Sequence, residues 1–235
     1  MLPNILNPML AKKADAPFDS GDHIFEIKWD GVRCVAFIEA GRVRLQSRQL
    51  TDITVQFPEL ACLDRLPTGT VLDGELVALE SGKPSLRVAQ QRVLLQNRHR
   101  IRWLSRTRPV IYMVFDLPYL NGKPLTASPL SFRREALQQL IEHSPLPGIL
   151  VTEGVRHHGH RLFSQVMRLG LEGIMAKRLD GPYLPGRRSP YWLKIKPRIA
   201  RRSEINQEIR TAIAASNENG IRRNGTNPPQ LAWRN

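Results

Sequence analysis

The amino-acid sequence predicts an α+β fold built on mainly antiparallel sheet. Three observations carry that expectation. Alternation with a period of two recurs along most of the chain, helical spacing is confined to a few intervening stretches, and the two do not alternate in the strict order of a parallel sheet. From His23 the strand pattern is clear: Phe25, Ile27 and Trp29 alternate with Ile24, Glu26, Lys28 and Asp30 until Gly31 interrupts. Val32–Glu39 and residues 43–47 follow as two strands joined by a turn at Ala40-Gly41-Arg42. Residues 70–79, 110–117, 171–178 and 191–196 complete the strand set. The spacing predicts helices over 86–96, 132–142 and 160–169.

Residues 1–22 read as an irregular, Pro-containing lead-in. After Pro197 the character changes. A short helix is expected over 203–215, and residues 217–235, rich in Asn, Gly, Pro and Arg, read as a disordered basic tail. The domain reading is therefore 1–197 as one catalytic-sized unit and 198–235 as a tail with seven arginines against three glutamates.

Charged residues make up 24% of the 235 and hydrophobic ones 41%, which suits a globular protein with a proper core. The charge balance is unusual: 35 Lys plus Arg face 21 Asp plus Glu, and the surplus of +14 attracts polyanions such as nucleic acid or an acidic membrane surface. Two cysteines, Cys34 and Cys62, cannot form a disulfide framework and have no zinc spacing. The amino terminus lacks a signal-peptide layout, and no apolar run approaches the ~18 residues of a membrane span. A reduced, cytoplasmic protein with no membrane partner is expected.

The candidate site begins at the strand around Lys28. A period of two puts Glu26, Lys28 and Asp30 on one face, opposite Phe25, Ile27 and Trp29. Asp73 and Glu75 likewise point together, Lys194 and Lys196 share a face with Trp192, and Glu172 and Lys177 stand on either side of Gly173. Each segment alone is explained by a solvated, charged edge strand. Together they describe a pocket of cations, carboxylates and aromatics that suits a nucleoside triphosphate with its metal. The cluster Arg156-His157-His158-Gly159-His160 tempts a metal assignment, but no partner ligands stand out, and an exposed loop is the better reading.

Lys28-Trp29-Asp30-Gly31-Val32-Arg33 resembles the K-x-D-G-x-R signature of the covalent nucleotidyltransferases, which comprise DNA ligases, RNA ligases and mRNA capping enzymes. In that family's order follow Ser47-Arg48, Asp73-Gly74-Glu75, Val114-Phe115-Asp116, the run from Glu172 to Lys177, and Trp192-Leu193-Lys194-Ile195-Lys196. Phe57-Pro58-Glu59-Leu60 and the run from Tyr183 to Arg188 resemble the bacterial ATP-dependent DNA ligases associated with end joining. The resemblance covers roughly residues 5–197, the family's adenylation domain. It implies an ATP-grasp-like arrangement of two packed, mainly antiparallel sheets with flanking helices and the nucleotide between them.

The chemistry implied is a three-step one. The Lys28 amine attacks the α-phosphate of ATP and releases pyrophosphate, the AMP passes to the 5′-phosphate of a nick, and the 3′-hydroxyl displaces it. Only the neutral amine attacks, so burial and the cations Arg33, Lys194 and Lys196 are expected to lower Lys28 from its reference pKa of ~10.4. By the same resemblance Glu26 accepts from the adenine amino group, Phe115 stacks on the base, Arg33 and Glu75 hold the ribose, and Lys177 lines the nucleotide site. Glu172 ligates Mg²⁺ (or Mn²⁺), Lys194 and Lys196 stabilise charge on the α-phosphate, Asp30 positions Lys28, and Asp73 is structural. Arg48, Arg187 and Arg188 are the candidate contacts to DNA phosphates.

The implied partners are nicked or broken double-stranded DNA at the bacterial nucleoid and a separate OB-fold or end-joining protein, because the family's OB-fold domain has no counterpart in the 38 residues after Pro197. Alternatives are an RNA ligase and a sealing-deficient relic that binds nucleic-acid ends.

Overall fold

A computed structural model describes residues 2–197. In chain order its strands are β1 (Leu10–Lys13), β2 (His23–Ile27), β3 (Val32–Glu39), β4 (Arg42–Ser47), β5 (Thr70–Val77), β6 (Leu79–Glu80), β7 (Lys83–Pro84), β8 (Ile111–Leu120), β9 (Lys123–Pro124), β10 (Ile149–Val151), β11 (Gly154–Arg156), β12 (Ile174–Arg178) and β13 (Arg188–Ile195). The helices are α1 (Leu86–Val93), α2 (Arg98–Thr107), α3 (Leu130–His143) and α4 (Gly159–Arg168), with a 3-10 helix over Pro58–Arg65.

Two sheets organise these strands. One runs β1-β13-β12-β2-β11, the other β10-β8-β5-β3-β4 with β9 paired to β8, and β6 and β7 form a separate hairpin. Pairing is antiparallel except for β1 with β13 and β10 with β8. The expected α+β architecture of two sheets with flanking helices is what the chain adopts.

β3 shows how the sequence builds this layering. Cys34, Ala36 and Ile38 enter a core against Leu60, Leu63 and Ala89, while Val35 and Phe37 face Trp192, Tyr183 and Met9 from the other side. A strand buried on both faces reads as a near-continuous apolar run, and Val32–Glu39 does. The second of these cores lies between the sheets and draws on β3, β5, β8 and β13. A third, with Phe25, Ile174, Ala176 and Ile195, is closed by Val166 of α4.

Several elements differ from the expectation. The lead-in is not wholly irregular: β1 pairs in parallel with β13, and Met9 is fully buried. The segment 171–178 becomes a strand only at Ile174, and Lys28 and Lys196 both lie just past strand ends. α2 is additional, with Asn97 capping it by accepting from the Arg100 N–H at 3.0 Å. The short strands β10 and β11 are additional too. The expected helix at 203–215 and the tail at 217–235 lie outside the described residues. No helix among the described residues is long and apolar enough to cross a membrane.

Candidate nucleotide cleft between the sheets

The two sheets part over a cleft of about 890 Å³, within the range of ligand sites. Lys28 reaches it from the end of β2. Its N–H donates to the Gly173 carbonyl at 2.9 Å, which ties the nucleophile candidate to the segment just before β12. Two nearby glycines pack against carbonyls of other strands. A Cβ on Gly31 would run into the Leu76 carbonyl, and Gly173 has φ +143°, with the Ile195 carbonyl where a side chain would be.

Glu172 precedes Gly173, and each of its carboxylate oxygens meets a lysine: Oε2 accepts from Lys28 Nζ, and Oε1 pairs with Lys196 Nζ. Burial works to raise the Glu172 carboxyl, but the bonds from Lys196 and Lys28 outweigh it and hold it below its ordinary range. The sequence reading gave Lys28 the cations Arg33, Lys194 and Lys196 as neighbours and Asp30 as its positioning carboxylate. The structure corrects this: the carboxylate against its ammonium is Glu172.

Lys194, Arg188 and Arg48 join the same end. Lys194 is lowered by burial and then by the positive charge of Arg188, Lys196, Lys28 and Arg48. Arg48 comes from the loop after β4, whose turn is fixed by Ser47 and Thr51. Arg188 also donates to the Ala11 carbonyl at 2.5 Å. Arg187 does not line the cleft: its carbonyl accepts from the Leu10 N–H at 2.9 Å in the β1 junction. Of the arginines expected at DNA phosphates, only Arg48 and Arg188 share this end.

The opposite end is buried and paired. Glu26 is 1% exposed; Lys177 Nζ lies 2.6 Å from its Oε2, and Arg134 of α3 pairs with its Oε1. The Lys177 ammonium lacks good hydrogen-bond angles to any protein group, and lies 4.2 Å from the Phe115 ring centroid and 4.6 Å from that of Trp192. Burial lowers Lys177, with Glu26 opposing. Phe115 is thus a cleft wall between cations, since the Arg33 guanidinium also lies 4.5 Å from its centroid.

Arg33 occupies the middle. Its Nε and Nη2 donate to the two oxygens of Asp73, both at 2.6 Å, and the Tyr183 hydroxyl donates to the same carboxylate at 2.7 Å. The Met9 N–H donates to the Tyr183 oxygen at 3.2 Å, so the lead-in locks the group from above. Asp73, fully buried, is structural as expected. Glu75 is pushed up to about 7 by burial, with Arg33 and Lys28 pulling the other way. Asp30 does not hold Lys28; its carboxylate accepts from the Leu86 N–H at the start of α1.

Some lining residues escaped the sequence. Met9, Leu10 and Ala11 sit in the lead-in, where nothing but a short apolar run marks them. Gln90, Val93 and Leu94 of the α1 region line the cleft, and the i, i+4, i+7 spacing from Leu86 could have revealed that stripe. Arg134 had no signal, because its partner Glu26 lies on the first sheet.

A family model described as the ATP dependent DNA ligase domain matches residues 8–196. The chain belongs to that family. It is 33% identical over 192 residues to the SPbeta prophage-derived DNA ligase-like protein LigB of Bacillus subtilis, covering 81% of this chain and 67% of that one. The multifunctional non-homologous end joining DNA repair protein LigD of Mycobacterium tuberculosis is 36% identical over 195 residues, covering 81% of this chain and 24% of that protein. A solved mycobacterial DNA ligase D complexed with ATP and MES superposes with a TM-score of 0.65 at 33% identity, over 81% of this chain and 60% of that one. The chain thus spans only part of the longer relatives it matches.

Proposed function

We propose that residues 1–197 are the adenylation domain of an ATP-dependent DNA ligase that forms a Lys28–AMP intermediate and passes the AMP to the 5′-phosphate of a DNA nick. The observation that carries this reading is the junction of Lys28, Glu172, Lys196 and Lys194 at one end of a cleft whose other end offers Glu26, Lys177 and Phe115. The paired, aromatic end suits an adenine; the cationic end suits phosphates.

In the first step the Lys28 nitrogen bonds to the α-phosphorus, the bond to the bridging oxygen of pyrophosphate breaks, and the amine gives up a proton. Glu172 is the carboxylate already in contact with that nitrogen. Lys194 and Lys196 place positive charge where the α-phosphate oxygens gain negative charge. Arg33, fixed by Asp73, and Glu75 face the sugar position between the two ends.

Glu172 is the carboxylate this reading gives to Mg²⁺, an ion that takes one or two carboxylates with waters and substrate phosphates. Bound there, it would supply charge neutralisation to the polyphosphate. Arg48 and Arg188 fit DNA phosphates beside the cationic end, and a separate OB-fold or end-joining protein is the partner this reading favours.

Intact-mass spectrometry tests the proposal. Incubation with ATP and Mg²⁺ should add the mass of one AMP to the wild type and nothing to Lys28→Ala, with the melting temperature of the two alike. Adenylate on Lys28→Ala would sink the assignment. Sealing of 5′-adenylated nicked RNA in preference to nicked DNA would move the acceptor to RNA.

A further inference from the structure

Of the 20 arginines among the described residues, eight have acidic partners. Arg33, Arg42, Arg44, Arg87, Arg92, Arg133, Arg134 and Arg178 all form ion pairs. α2 gathers four of the other twelve in ten residues. Its sequence, Arg98 to Thr107, holds four arginines and a histidine with no acidic residue, and none of the ion pairs among the described residues includes one of its arginines. Arg98, Arg102 and Arg106 recur every four residues and so share one face, while buried Ile101 and half-buried Leu104 turn the opposite face toward the body. Like charges at that spacing destabilise a helix by a few tenths of a kcal/mol per pair. Trp103, 57% exposed, stands beside the stripe.

We propose that this face of α2 is a second contact surface for duplex DNA, in which Arg98, Arg102 and Arg106 engage successive backbone phosphates and the Trp103 ring packs against the sugar-phosphate chain. The choice of DNA as occupant rests on the ligase reading above; the surface itself rests on charge and position. Leu94 lines the cleft, and Arg98 follows it by four residues, so the stripe starts within about 14 Å of the cleft edge. From Arg98 to Arg106 it rises about 12 Å. A duplex carries one charge per ~1.7 Å of axis, so a helix of this length spans several phosphates. Arginine forks suit phosphate oxygens, and the contact reads no sequence.

The test is a salt titration of full-chain binding to nicked duplex DNA, wild type against R98Q/R102Q/R106Q, with circular dichroism as the check on folding. The slope of log affinity against log salt should become shallower by about 2 to 3, because each lost phosphate contact removes about 0.9. Affinity at low salt should drop about tenfold or more. AMP loading, read by mass, should not change. An unchanged slope and affinity would overturn the proposal, and so would a loss confined to RNA. Should the triple variant melt early, Arg102→Gln carries the test with an expected slope change of about 1. Failure of AMP loading in the wild type would strike the function proposal and leave the salt slope to judge this one.

Discussion

The two ends of the cleft handle charge in opposite ways. At the inner end the charges are paired and buried: Glu26 holds Lys177 and Arg134, and beside it, in the middle, Asp73 holds Arg33. At the outer end Glu172 alone faces Lys28 and Lys196, with Lys194, Arg48 and Arg188 close by, and the side chains are partly open to solvent. Buried pairs fix a shape, because breaking one strands a charge in low dielectric. An open cationic cluster keeps its excess field available to an anion. The inner end is therefore built for geometry and the outer end for charge.

That difference can be broken at its strongest point first. Glu26→Ala leaves two cations unpaired, one of them fully buried, and should cost roughly 3–5 kcal/mol of stability, read by urea unfolding. A loss below 1 kcal/mol would show that the inner pairs are not the frame they resemble.

Glu75 sharpens the comparison because it sits between the ends. Burial pushes its carboxyl up to about 7 from an ordinary 4.5, so the folded state binds the extra proton between those values. Stability from this group is present in full below about 4.5 and is lost as pH rises to 7, by up to about 3 kcal/mol. Glu75→Gln should lack that decline, so its advantage over the wild type should grow between pH 4.5 and 7. Parallel unfolding curves at all pH values would refute it.

The smallest stability effect belongs to the outer end. Lys196 is 46% exposed, and Lys196→Ala should shift stability by less than ~1 kcal/mol while slowing AMP loading. A large stability loss without a rate effect would erase the contrast between the two ends.

How much of this was legible in the sequence depended on what kind of signal each part left. β3 and β5 were legible because mostly apolar runs of strand length have to be buried, here on both faces. The cleft residues Lys28, Glu172, Lys194 and Lys196 were legible as a resemblance, and the geometry brings them together. The contact between Lys28 and Glu172 was not, since the two are 144 residues apart and depend on how β2 and β12 align. Nor could alternation tell that Lys28 and Lys196 fall just beyond their strands. α2 went unseen for another reason: arginines on most of its sides leave only Ile101 and Leu104 to mark a buried stripe. Short β1, β10 and β11 owe their pairing to neighbours rather than to their own three or four residues.

The backbone bond from Lys28 to Gly173 has a mechanical consequence. It joins the end of one strand to the approach of its neighbour within a single sheet, so the amine and Glu172 travel as one body. Arg33, Glu75 and Phe115 ride on the other sheet. Any change in the angle between the sheets then alters how far Arg33, Glu75 and Phe115 stand from Lys28, while Lys28 keeps its distance from Glu172. Opening and closing would act as a focus control, with the Lys28–Glu172 pair as its fixed lens.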